Sequence, residues 1–241
     1  MRKFAVVLAS AAALSFTQAH AADPGGRQTI RPYAPFFNWS GFYFGGHAGG
    51  AWTDIDWTFF NGAVAESFSQ SHSTGIWGAQ GGFQFQFDTL VVGLEVSYSA
   101  NFNDDFVSSA ALLAADRSRD SRLTDLLMVT PRLGFAYGPA HVYIKGGYAT
   151  ADVDFQGRVT STGVITATSG GREHGWTFGG GVEYALWQSI VLGLQYDYVN
   201  LSVDDRVFNV SLGFLPPNNG TGIDVTRHMV TGRINFLFNP W

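Results

Sequence analysis

From residue 228 to residue 238 the chain alternates with a period of two. Val230, Gly232, Ile234, Phe236 and Phe238 fall on one face, and Met229, Thr231, Arg233 and Asn235 on the other. That is the pattern of a β-strand whose two sides meet different surroundings. Seven earlier stretches repeat it: 41–52, 75–87, 90–102, 123–137, 140–151, 175–186 and 190–198. In 75–87, Trp77, Phe83, Phe85 and Phe87 share one side while Gln80, Gln84 and Gln86 share the other. A strand with an aromatic face and open edges needs partners on both sides, and in lipid that requires a sheet closed on itself. The pattern therefore predicts that the first strand, with Phe42, Phe44 and Trp52 outward, pairs with the last.

The connections alternate in length. Residues 88–89, 138–139 and 187–189 are tight turns, whereas 53–74, 103–122, 152–174 and 199–227 read as long polar loops, the third rich in Thr, Ser and Gly. In the second of these, residues 110–117 carry an alanine- and leucine-rich run expected to form a turn or two of helix. Short turns at one end and long loops at the other are the asymmetry of periplasmic turns and surface loops. Aromatic residues mark both ends: Trp52, Trp77, Phe102, Trp176 and Tyr198 near the long connections, and Phe42, Phe87, Tyr137, Trp187 and Phe238 near the short ones. Amphipathic rings favour the two faces of a bilayer. The fold class is therefore all-β, an eight-stranded antiparallel up-and-down transmembrane β-barrel spanning 41–241. An even strand number returns both termini to the short-turn side.

Composition changes this picture in three ways. Arg2 and Lys3, an apolar run and Ala19-His20-Ala21 make residues 1–21 a signal peptide, and its apolar run is too short to span as a helix. Residues 22–40, with Pro24, Pro32 and Pro35, are expected to be an extended periplasmic segment. Taking Arg2 and Lys3 from the 14 basic residues leaves 12 against 19 acidic ones, a net charge near −7, which disfavours nucleic acid as a partner. Cysteine is absent, so the fold has no disulfides and no thiol chemistry.

The sharpest constellation is a set of charges on the inward face: Glu95, Arg132, Lys145, Glu183, Asp197 and Arg233. They sum to zero. Eight strands leave a lumen only wide enough for side chains to fill, and ions are tolerated there when paired and hydrogen-bonded. Inward glycines such as Gly93, Gly179 and Gly193 would give these long side chains room to cross. The expected role is a packed plug, and the alternative is a narrow polar path for water, ions or small solutes. The histidines His47, His72, His141, His174 and His228 have no Ser and acid at a fixed spacing, so no catalytic set is assigned; nor does any His, Asp or Glu cluster have metal-ligand spacing. No cofactor is implied. Arg117, Arg119 and Arg122 are candidates for holding lipopolysaccharide phosphates, since guanidinium pairs bidentately with phosphate; Asp116, Asp120 and Asp125 offer them local partners instead.

The stretch NWSGFYFGGHAGGAW at 38–52, followed by seven alternating segments and an aromatic end, resembles the small outer-membrane β-barrel proteins of alphaproteobacteria, the porin-like surface-antigen family. The resemblance implies a non-enzymatic barrel with a structural and surface-presentation role in the bacterial envelope, among outer-membrane lipids and lipopolysaccharide. It also implies recognition by the outer-membrane assembly machinery through a terminal lipid-facing aromatic. Here Asn239, Pro240 and Trp241 follow Phe238, so Phe238 and Trp241 are both candidates for that signal. A soluble ligand-carrying barrel of lipocalin type would show the reverse, an apolar interior and a polar exterior.

Overall fold

The computed structural model describes residues 37–61, 64–103, 107–110, 117–159, 161–203, 209–210 and 222–239. Contacts divide the chain into Met1–Tyr33 and Ala34–Trp241, and every described residue belongs to the second unit. The expected signal peptide at 1–21 lies outside the described residues.

Eight long strands form a ring: β1 (Gly41–Asn61), β2 (Val64–Phe87), β3 (Leu90–Asn101), β5 (Arg117–Tyr137), β6 (Ala140–Val159), β7 (Ile165–Ala185), β8 (Ile190–Val203) and β10 (Gly222–Phe238). Each is antiparallel to its neighbours, and β3 pairs with β5 to continue the wall. The ring closes as the sequence predicts, β1 on β10, from Phe42 opposite Phe238 to Thr58 opposite Gly222. Two short pieces lie outside the ring: β4 (Val107–Ala110) on β5, and β9 (Asn209–Val210) on β7.

The facing follows the alternation. Phe83 is 38% exposed and Gln84 3%, so in this stretch the ring points out and the amide in. A one-residue slip would exchange them. Two tight turns use backbone with positive φ: Asp88 at 57° and Gly138 at 57°. Two-residue hairpin loops require such angles, which Gly and Asp tolerate.

The strands are longer than the sequence pattern suggests. Residues 53–74 were expected to be a loop, yet β1 and β2 stay paired from Thr53 opposite His72 to Asn61 opposite Val64. Above a membrane the outward face of the sheet meets water and becomes polar, so the outward apolar series ends while inward residues such as Thr53 and Ile55 stay buried and the backbone ladder continues. Ser69 and Ser71 donate from Oγ to Asp56 and Asp54 across it, each at 2.5 Å. In the same way β5 begins at Arg117 and β7 at Ile165, inside stretches expected to be loops. Of the expected helical run at 110–117, Ala110 belongs to β4 and Arg117 to β5, while 111–116 lie outside the described residues.

Inside the barrel the described side chains fall into three layers. At the short-turn end Trp39, Tyr43, Val91, Ala136, Ala185, Val191 and Leu237 cluster. The middle is charged. Towards the long connections Ala51, Ile76, Leu126, Met128, Ala149, Val199, Leu201, Met229 and their neighbours form a second apolar layer. A β-bulge between Leu123 and Leu126 lets both leucines point inward despite their odd spacing.

Trp39 closes the lower layer. Its indole Nε1 donates to Gly138 O at 3.1 Å, its backbone N donates to Gln86 Oε1 at 2.8 Å, and its carbonyl accepts from Gln84 Nε2 at 2.8 Å. The ring lies 4.8 Å from that of His141. Residues 37–40, the end of the stretch expected to run extended, are therefore seated in the mouth of the barrel. Asn239 Nδ2 donates to Asn38 O at 3.0 Å, which places both ends of the described barrel on the short-turn side.

Candidate functional site

The middle layer exists because charged residues and glycines occupy matching inward positions on neighbouring strands. Glu95 stands opposite Gly82, Arg132 opposite Gly93, Lys145 and Asp197 opposite Gly179, and Glu183 and Arg233 opposite Gly193. A neighbour without a side chain lets the long one leave the wall and cross the lumen. The fit at Gly193 is close: a Cβ there would lie 2.9 Å from both Arg233 Cγ and Glu183 Cγ.

Two carboxylates organise what meets in the centre. Glu95 Oε1 takes Lys145 Nζ at 3.1 Å, and Oε2 takes Arg132 Nη1 at 3.2 Å and the Tyr43 hydroxyl at 2.9 Å; Arg233 also donates to Oε2. Glu183 Oε2 accepts from Arg132 Nη2 at 2.9 Å and contacts His141 Nδ1 at 3.2 Å, while its Oε1 accepts from Asn235 Nδ2 at 3.1 Å. Asp197 pairs with Lys145 Nζ at 3.2 Å and accepts from Gln195 Nε2 at 2.6 Å. The structure thus brings Glu95, Arg132, Lys145, Glu183, Asp197 and Arg233 into one connected group of three anions and three cations, all buried.

Several members were not foreseen as part of it. Tyr143 donates to Gln195 Oε1 at 2.6 Å and accepts from Arg233 Nη1 at 3.1 Å, and the Arg132 guanidinium carbon lies 3.8 Å from its ring centroid. Tyr43, His141, Gln195 and Asn235 complete the shell. Their inward parity was readable, but their reach across the lumen depends on strand stagger, which alternation alone does not fix.

This arrangement leaves little free volume. A cavity of about 10 Å³ lies beside the charged layer, lined among others by His47, Gln80, Ser99, Asp197 and Met229, at the lower limit for one water. His47 spans it, with Nδ1 2.7 Å from Gln80 Oε1 and Nε2 2.9 Å from Ser99 Oγ. Charged groups held between two apolar layers can bind one another and exclude solvent.

The closed antiparallel ring, its apolar exterior and its polar middle layer agree with the comparisons with known proteins. The family described as "Outer membrane protein beta-barrel domain" matches residues 8–214. The chain belongs to this outer-membrane barrel family. It is 28% identical over 245 residues to the 31 kDa outer-membrane immunogenic protein of Brucella melitensis, covering 97% of this chain and 99% of that protein, and matches the Brucella suis protein of that name to the same extent. Among solved structures, the outer membrane protein OprG of Pseudomonas aeruginosa aligns with TM-score 0.50 and 13% identity, over 83% of this chain and 98% of that one; this likeness is one of fold. The protein is thus an outer-membrane β-barrel, and lipid surrounds its wall.

The remaining candidates of this family member are dispersed. Arg117, Arg119 and Arg122, expected in a loop, lie on β5, with Arg117 opposite Val159 and Arg119 opposite Gly157 on β6. Arg122 Nη2 pairs with Asp154 Oδ2 at 2.8 Å. His174 contacts Tyr148, and His228 Nδ1 lies 2.8 Å from the Tyr196 hydroxyl, both on the outer wall. Among the described residues no three His, Cys, Asp or Glu groups stand close enough to hold a metal ion. Phe238 ends β10 facing outward, while Trp241 lies outside the described residues.

Proposed function

We propose that this outer-membrane barrel is a closed, non-enzymatic scaffold that presents its long connections at the cell surface and passes no solute of appreciable size. The observation that supports this most is the three-layered lumen: the Glu95–Arg132–Glu183–Arg233 network lies between an apolar layer around Leu126 and Met229 and another around Trp39. An ion crossing it would have to break paired charges and then enter apolar surroundings, and hydrophobic constrictions block conduction by losing their water. Curated relatives named as immunogenic outer-membrane proteins support the surface-presentation part of the reading. Among the described residues His47 does meet a serine, Ser99 Oγ at 2.9 Å, but its other ring nitrogen contacts the Gln80 amide and not a carboxylate, so no acid completes a catalytic set.

The same reading assigns Arg122 and its β5 neighbours Arg117 and Arg119 to contact with lipopolysaccharide phosphates, and the aromatic end of the chain, Phe238 or Trp241, to recognition by the assembly machinery. The porin-like alternative rests on the polar cavity beside His47 and Asp197. A liposome-swelling assay separates the two. Vesicles carrying the refolded protein should swell in isotonic arabinose no faster than protein-free vesicles; swelling at the rate given by a general porin would reject the closed scaffold.

A further inference from the structure

One buried charge takes no part in the central network. Arg227 is 2% exposed and points inward from β10, two residues beyond Met229 in the apolar layer towards the long connections. Its cross-strand neighbours are Thr53 and Val199, and Val225 and Met229 flank it on the inward face. Its Nη2 donates to Asn101 Oδ1 at 2.7 Å, and its Nε has no hydrogen-bond partner among the described residues. Among those residues it has no ion-pair partner either: Glu95, Glu183 and Asp197 are all engaged with Arg132, Lys145 and Arg233.

A guanidinium stays protonated in a protein, and a buried ion without a counter-charge is strongly unfavourable. The deficit can be met by an anion small enough to enter a layer containing the short inward side chains Ala51, Ala149 and Ala151. A lipid headgroup is on the wrong side of the wall. We propose that Arg227, with Asn101 beside it, forms a buried binding site for a small monovalent anion of chloride's size, reached from the long-connection end of the lumen.

The test uses the full barrel refolded in phosphatidylcholine vesicles and its urea unfolding midpoint, with chloride exchanged for gluconate at constant ionic strength. Gluconate, a bulky organic anion, serves as the non-binding control. The wild-type folding equilibrium constant should rise about tenfold when chloride reaches ten times its dissociation constant, and Arg227→Met should show no such rise. In gluconate Arg227→Met should be more stable than the wild type, because an uncompensated charge has been replaced by a side chain of similar length. Arg227→Lys, which keeps the charge and loses the planar fork, should retain the dependence with weaker half-saturation; it serves as the second variant if Arg227→Met does not fold. A wild-type midpoint indifferent to chloride, or an equal chloride effect in Arg227→Met, overturns the assignment.

Discussion

Glu95 and Leu126 lie in adjacent layers of one lumen, equally hidden from solvent, and they are held there by different physics. Leu126 is placed by removal of apolar surface from water, a force with no preferred direction. Glu95 is placed by direction: Lys145, Arg132, Arg233 and the Tyr43 hydroxyl converge on its two oxygens from four other strands. An apolar layer can repack when one member changes, whereas a network of ions fails as a unit, since a lost partner leaves the opposite charge uncompensated. The charged layer therefore ties distant strands in a fixed stagger, and the apolar layers on either side keep water from competing with it.

Substitutions on the two sides of this comparison should differ in kind. The largest effect is expected for Glu95→Ala, which takes an anion from three cations and leaves them to share Glu183 and Asp197: the cost should reach ~3 to 5 kcal/mol, measured as loss of refolding stability in lipid vesicles. Leu126→Ala should cost about 2 to 4 kcal/mol through the cavity it leaves. It should also be partly rescued by enlarging a neighbour such as Ala149 or Ala151, which Glu95→Ala should not be. If the two single variants proved equally rescuable, the contrast between the layers would collapse. Gly193→Ala is expected to cost roughly 1 to 3 kcal/mol by overpacking, because the new methyl would meet Arg233 and Glu183 at 2.9 Å. The smallest change is Ser69→Ala on the exposed upper wall, within about 0.5 kcal/mol, although Ser69 is hydrogen-bonded to Asp56 at 2.5 Å.

The contrast between wall regions also explains what the sequence could reveal. Within the membrane each strand separates lipid from lumen, so alternation is strict, and strand number, facing and the β1–β10 closure were all legible. Beyond the aromatic bands the outward face meets water instead of lipid, so Ser69, Ser71 and Ser73 read as loop although Ile55 stays buried inward and the ladder runs to Asn61 opposite Val64. Arg227 reads as the end of a polar connection because the outward residues around it are polar, although it is a buried inward residue of β10. The six inward charges could be identified by parity, but Tyr143 and His141 could not be joined to them, because which residues meet across a barrel depends on stagger. Trp39 was hidden by its setting, beside Phe36 and Phe37 at the end of a proline-rich stretch with no period to place it.

The central claim is that this lumen is closed, and planar-bilayer recording tests it most directly. With the refolded wild-type protein the account predicts no steady, large steps, while Glu95→Ala and Trp39→Ala, which open the middle and lower layers, should add brief leak events. A steady wild-type conductance of the size given by a general porin would contradict it.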